Sequence, residues 1–200
     1  LDTTIDISTA EFMRILREKQ EAVKENGFFE DAYDKARKGA GADLRLAVTL
    51  IPSQSYGPKA EAATISLSEG ILAKVPSSIG RGDYKDNKEK HGEHKFSAID
   101  PKKGKFNFVQ IRLWQDLKCY DLAVLSKNDE LFEFRLPKAK MVELVRKYGG
   151  LAHGTKKELA SKGIEWDSAI FKSETALRGI EGGQLWKDLL PYRVETLSHL

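Results

Sequence analysis

A single cysteine, Cys119, stands in the whole chain, so no intrachain disulfide can form. It lies in Cys119-Tyr-Asp-Leu-Ala-Val-Leu125, an apolar stretch that marks it as a core residue rather than a nucleophile. A reducing intracellular compartment fits that usage. No apolar run approaches the ~20 residues that cross a bilayer, and no signal peptide is visible, so no membrane contact is expected. No second His or Cys stands at ligand spacing from His153, which argues against zinc there. Internal repeats and low-complexity tracts are absent too. The chain opens at Leu1 rather than methionine, as a chain trimmed of an initiating segment or a preceding domain would.

What is present suits one globular domain over 1–200, with 40% hydrophobic and 32% charged residues. The net charge of +3 hides an asymmetry. Residues 1–34 carry nine acidic and four basic side chains, a net of −5, which leaves +8 on residues 35–200. Arg81, Lys85, Lys88, Lys90, Lys102, Lys103 and Lys105 concentrate that surplus. Such a surface suits a phosphate backbone, although a solvated lysine-rich loop has the same composition.

Ser8-Thr-Ala-Glu11 is a capping box opening a helix whose stripe is Phe12, Ile15, Leu16 and Val23, with Gly27 past its end. A second helix runs from Phe28 to Lys38. Leu44, Leu46, Val48 and Leu50 alternate like a strand, with a helix as the alternative. After a turn-rich link over 53–58, a helix is expected from Pro58 to about Ala73. Lys105 to Gln115 fits a helix and a strand equally by period and is placed as a helix. Tyr120–Leu125 and Leu131–Leu136 are strands, and Pro137 opens a helix that Gly149-Gly150 ends. The sum is an α/β fold: a mixed central β-sheet flanked by helices. Residues 1–50 form an acidic, mainly helical N-terminal extension, and 51–200 the core.

The most informative segment is Arg81-Gly-Asp-Tyr-Lys-Asp-Asn-Lys-Glu-Lys-His-Gly-Glu-His-Lys-Phe-Ser97. It reads as a β-hairpin turned at Asp86 to Gly92. Alternation puts Glu93 and Lys95 on one face, with His94 and Phe96 on the other. If Asp83 leaves the neighbouring strand toward the first face, two carboxylates and an ammonium converge. Paired carboxylates repel unless a cation sits between them, and oxygen ligands favour Mg²⁺. A lysine beside such an ion can orient water or stabilise charge on a phosphate. A charge-rich solvated hairpin is the plainer alternative.

Asp83, the Glu93-His94-Lys95 triplet and their context resemble the PD-(D/E)xK nuclease superfamily, which includes most type II restriction endonucleases. Asn107–Gln115, Tyr120–Leu125, Leu131–Pro137 and Ala152–Thr155 resemble, in that order, bacterial restriction-endonuclease-like proteins, over roughly residues 55–195. Gly82 replaces the motif's proline, and His94 replaces a branched apolar residue. The resemblance implies that Asp83 and Glu93 bind Mg²⁺ and that Lys95 assists the attacking water. It implies double-stranded DNA as substrate, a homodimer, and the cytoplasm of a bacterium or archaeon. A repair or recombination nuclease of the same superfamily, or a non-catalytic DNA-binding module, is the alternative.

Ser55-Tyr-Gly-Pro-Lys-Ala-Glu61 lies at a helix start that can hold a phosphate, so Ser55, Tyr56 and Lys59 are candidate DNA contacts. Glu61 either approaches the catalytic pair, as in some superfamily members, or compensates the helix dipole. Gln110, Arg112 and Gln115 are polar within an apolar element, and reach DNA or bond the local backbone. His153, Thr155, Lys156 and Lys157 form a glycine-marked loop favoured as a DNA contact, with Thr155 as a helix cap the alternative.

Overall fold

Ser8 does cap the first helix. Its Oγ accepts from the Glu11 backbone N–H at 3.2 Å, and α1 runs Thr9–Glu25. The structure, a computed structural model, describes residues 8–41 and 43–195. Helix α2 spans Phe28–Arg37, α3 Asp43–Leu50 and α4 Tyr56–Leu67. The strands that follow are β1 (Leu72–Lys74), β2 (Tyr84–Asp86), β3 (His91–Ala98), β4 (Lys105–Ile111), β5 (Cys119–Leu125) and β6 (Leu131–Pro137). Then come α5 (Lys138–Tyr148), β7 (Gly150–Leu151), α6 (Lys156–Ser161), α7 (Trp166–Ala169), β8 (Thr175–Ile180) and α8 (Gln184–Leu189).

Five strands form a mixed sheet in the order β1-β2-β3-β5-β6, parallel only between β3 and β5. A second, antiparallel sheet has the order β4-β8-β7. Strand β5 is buried throughout and shows how the layers stack. Its Ala123 and Leu125 pack against Phe29, Tyr33, Leu44 and Ala60 of the helical layer. Its Tyr120, Leu122 and Val124 face the opposite way, against Phe106, Phe108, Leu144 and Trp186. Alternation along one strand thus feeds two cores.

Three local expectations are corrected. Residues 44–50 are helical, because Leu44, Ala47, Val48 and Ile51 are buried at helical spacing while Leu46 is 39% exposed. The alternating leucines hid that face. Residues 105–111 are a strand: Phe106 and Phe108 enter the core, and Lys105, Asn107 and Val109 face outward. Pairing with β8, a strand the sequence reading did not anticipate, decides what periodicity left open. Helix α4 begins at Tyr56 and stops at Leu67, well short of Ala73, where Glu69 and Gly70 take positive φ and turn the chain into β1.

Candidate active site

The hairpin forms, but with a shorter turn than expected: β2 ends at Asp86 and β3 already starts at His91, so Gly92 lies in the strand. Asp86 Oδ1 accepts from the backbone N–H groups of Lys88 and Lys90, at 2.8 and 2.9 Å, and fixes the turn. Strand β2 pairs with β3 through Tyr84↔Gly92 and Lys85↔His91, with further bonds from Asp86 N to Lys90 O at the turn, 3.0 Å, and from Asp83 N to Gly92 O at the other end, 2.9 Å. Beyond that point the two strands part. Asp83 sits at the fork.

Two glycines make the fork possible. Gly82 has φ +74, and a Cβ there would lie 2.4 Å from the Gly92 carbonyl oxygen. A Cβ on Gly92 would meet the Tyr84 ring at 2.6 Å. Proline is held near φ −65°, so a proline could not take the place of Gly82 in this geometry.

Asp83 Oδ2 accepts from the His94 backbone N–H at 2.8 Å. That bond satisfies a donor on the β3 edge that β2 has left, and locks the carboxylate beside Glu93. The Lys95 Nζ lies 2.5 Å from Glu93 Oε1. The Glu93 side chain is only 3% exposed, and its Oε2 is buried with no hydrogen-bond partner. Burial pushes the Glu93 carboxyl above its usual range. Lys95 opposes that shift and Asp83 adds to it. Glu61, one turn into α4, is also pushed up, by burial first and then by the Asp83 charge, and lies 3.4 Å from Lys74 Nζ. Glu61, Asp83, Glu93 and Lys95 therefore share one electrostatic neighbourhood. No group of three His, Cys, Asp or Glu side chains among the described residues is arranged to hold a metal ion alone. A Mg²⁺ ion commonly takes one or two protein carboxylates and completes its shell with water and substrate phosphate. The unpartnered Glu93 Oε2 is the kind of buried acceptor such an ion satisfies.

His94 points to the other face, as expected. Its Nε2 lies 3.1 Å from Thr64 Oγ1 and 3.4 Å from the Tyr33 hydroxyl. Tyr33 and Thr64 both donate to Glu133 Oε1, at 2.5 and 3.1 Å. Arg37 Nε is 3.0 Å from Glu133 Oε2, close enough for an ion pair but not aligned as a hydrogen bond. Although burial pushes the Glu133 carboxyl up, the nearby His94 imidazole, 3.9 Å away, and the Arg37 charge outweigh it and hold the group below its usual range. The imidazole at 94 is accommodated on this buried face because polar partners surround it. The network anchors the middle of β3 from behind.

The other candidates separate clearly. Arg112 acts on the Glu93 charge and is itself held by Glu174, at 2.8 and 2.9 Å. The bulge at Val109 and Gln110, where Gln110 has φ 55, sets its direction. Gln115 is partly buried, with its side-chain oxygen unpartnered and its backbone carbonyl accepting from Lys138 Nζ. Lys59 leans 3.7 Å from Glu30 and over the Phe29 ring, and Tyr56 packs edge-on against Phe96. Ser55 makes no side-chain cap. Thr155 forms a full capping box with Glu158, and Lys156 lies over the Trp166 ring at 4.5 Å, so both have local structural roles. His153 and Lys157 are exposed. Ala152 N donates to Glu174 O at 2.9 Å, which links this loop through Glu174 to Arg112 and the site. Glu174 and Lys74 were not legible in the sequence, because only folding brings them to Arg112 and Glu61.

No family model matches this chain, and neither does any curated protein.

Proposed function

We propose that the chain is a Mg²⁺-dependent DNA endonuclease of the type II restriction kind, acting as a homodimer in the cytoplasm of a bacterium or archaeon. One observation carries the reading: Asp83, Glu93 and Lys95 meet where β2 and β3 part, with Glu93 Oε2 buried and unpartnered. Asp83 and Glu93 would hold the ion, and their oxygen donors suit a hard cation. The bound ion supplies Lewis-acid polarisation of the phosphodiester and a more acidic water. Lys95 keeps its ammonium at the site with 19% of its side chain exposed, enough to hold and orient the attacking water. Glu61 adds negative charge beside Asp83 and tightens the hold on a cation. The +8 of residues 35–200 supports a polyanionic substrate. DNA as that polymer, cleavage at a specific sequence and the dimer rest on the resemblance, a symmetric pair of sites being what two antiparallel strands require.

Metal binding can be tested without any substrate. At ten times its Kd a ligand stabilises by about 1.4 kcal/mol, or about 3–6 °C of Tm in a chain of this size. Mg²⁺ is expected to raise the Tm of the wild type by that amount and to leave Asp83→Asn unchanged in a thermal melt. Equal shifts in both proteins would mean that the ion binds elsewhere.

A further inference from the structure

Two residues beyond Lys95, on the same face of β3, Ser97 begins the floor of a groove of about 570 Å³. Its walls are Tyr56 at the start of α4 and the outer side of the β4–β8 pair. At ~3.3 Å per strand residue, Ser97 lies ~6.6 Å along the strand from Lys95. That is of the order of one nucleotide step along a phosphodiester chain. The Asn107 N–H donates to Ser97 Oγ at 2.9 Å, so the second sheet is pinned to the catalytic strand.

The outer wall is built by alternation. Phe106 and Phe108 fill the core, which turns Lys105 and Asn107 outward, opposite Ile180 and Arg178 in antiparallel register. Arg178 and Lys105 are exposed, and neither has an ion-pair partner among the described residues. Among the described residues, the only carboxylate lining the groove is Asp100. Its Oδ1 already accepts from the backbone N–H groups of Lys102 and Lys103, at 2.9 and 3.2 Å. Two unopposed cations, an exposed amide and an aromatic ring therefore line a groove that starts at Ser97, on the strand face it shares with Lys95. A phosphodiester strand matches all four: phosphate oxygens for the cations, sugar or phosphate for the amide, and a sugar or base face for the ring.

We propose that this groove holds the cleaved DNA strand beside the scissile phosphate, with Arg178 and Lys105 on flanking phosphates and Asn107 and Tyr56 on the adjoining nucleotide. This rests on the nuclease reading above. None of the four residues is in the catalytic cluster, and Arg178 and Lys105 give up no internal ion pair when replaced.

The test measures binding of a fluorescein-labelled duplex of mixed sequence in Ca²⁺ by anisotropy at several salt concentrations. The double variant Arg178→Ala, Lys105→Ala is expected to bind at least about tenfold more weakly, with the log–log salt slope reduced by about two. Lys19→Ala, on α1 and outside the groove, is expected to bind as the wild type does. Arg178→Gln with Lys105→Gln repeats the measurement if the alanine pair lowers the Tm. Wild-type affinity and slope in a folded double variant would overturn the groove. A wild type that binds through Arg178 and Lys105 but never cuts with Mg²⁺ would overturn the nuclease reading and leave the groove standing as a site for a DNA strand. A wild type that neither binds nor cuts would overturn both.

Discussion

Asp83→Asn is expected to lower DNA cleavage by roughly 10³-fold while the protein stays folded. Asparagine keeps an Oδ1 that accepts from the His94 N–H, so the fork between β2 and β3 is retained and only the charge is lost. A metal contributes several kcal/mol to stabilising transition-state charge, and each ~1.4 kcal/mol is about tenfold in rate. Glu93→Gln removes the second charge with almost no change of shape and is expected to lose a similar factor. Lys95→Ala takes away the ammonium that holds water and is expected to cost about 10²–10³-fold. It also strips a buried carboxylate of its counter-ion, so its Tm has to be measured alongside its rate. Single-turnover rates under saturating Mg²⁺ decide the matter. A variant within about tenfold of the wild type removes that residue from the mechanism.

The largest expected loss of stability lies elsewhere, at Asp121 on β5. Arg135 reaches both its oxygens, each at 2.7 Å, and the Tyr84 hydroxyl donates to Oδ2. Asp121 is 2% exposed at its side chain and Arg135 12%. Asp121→Ala leaves a largely buried guanidinium without its carboxylate and a fully buried tyrosine hydroxyl without its carboxylate acceptor, with the Cys119 sulfur at 3.7 Å as a much weaker partner. Breaking such a pair costs about 3–5 kcal/mol, or roughly 10 °C of Tm for about 200 residues. Chemical denaturation is expected to show the midpoint falling with the m-value unchanged. A loss under about 1 kcal/mol would mean that water replaces the pair, and that it contributes little to holding β5 to β6.

The hairpin was legible because two local rules agree there: alternation on β3 and a polar turn between Asp86 and Gly92. Those rules act over a few residues, so the sequence alone reveals them. The cap at Ser8 was legible for the same reason, whereas Thr155, read first as a DNA contact with a helix cap as the alternative, forms a capping box with Glu158. Strand β4 was not, because Lys105–Gln115 has no decisive period and its partner β8 lies more than sixty residues away. Leucine spacing at 44–50 suggested alternation, whereas Ala47, a small residue easily passed over, completes the buried helical face. The polar residue at 94 was an oddity in the sequence. It became intelligible once Tyr33, Thr64 and Glu133 were seen around it, from elements up to sixty-one residues distant. Electrostatic neighbours of the site were hidden in the same way. Nothing near Glu61 in sequence announces Lys74, and nothing near Arg112 announces Glu174.

The central claim is that Asp83, Glu93 and Lys95 form a metal-dependent phosphodiesterase site. Its most direct test is incubation of supercoiled plasmid with the wild type and Asp83→Asn, in Mg²⁺ and in excess chelator, followed by sequencing of the ends. Conversion to discrete bands with one recurring end sequence, in Mg²⁺ and with the wild type only, is the predicted result. Cleavage that persists in chelator, or that Asp83→Asn performs as fast as the wild type, would contradict the account.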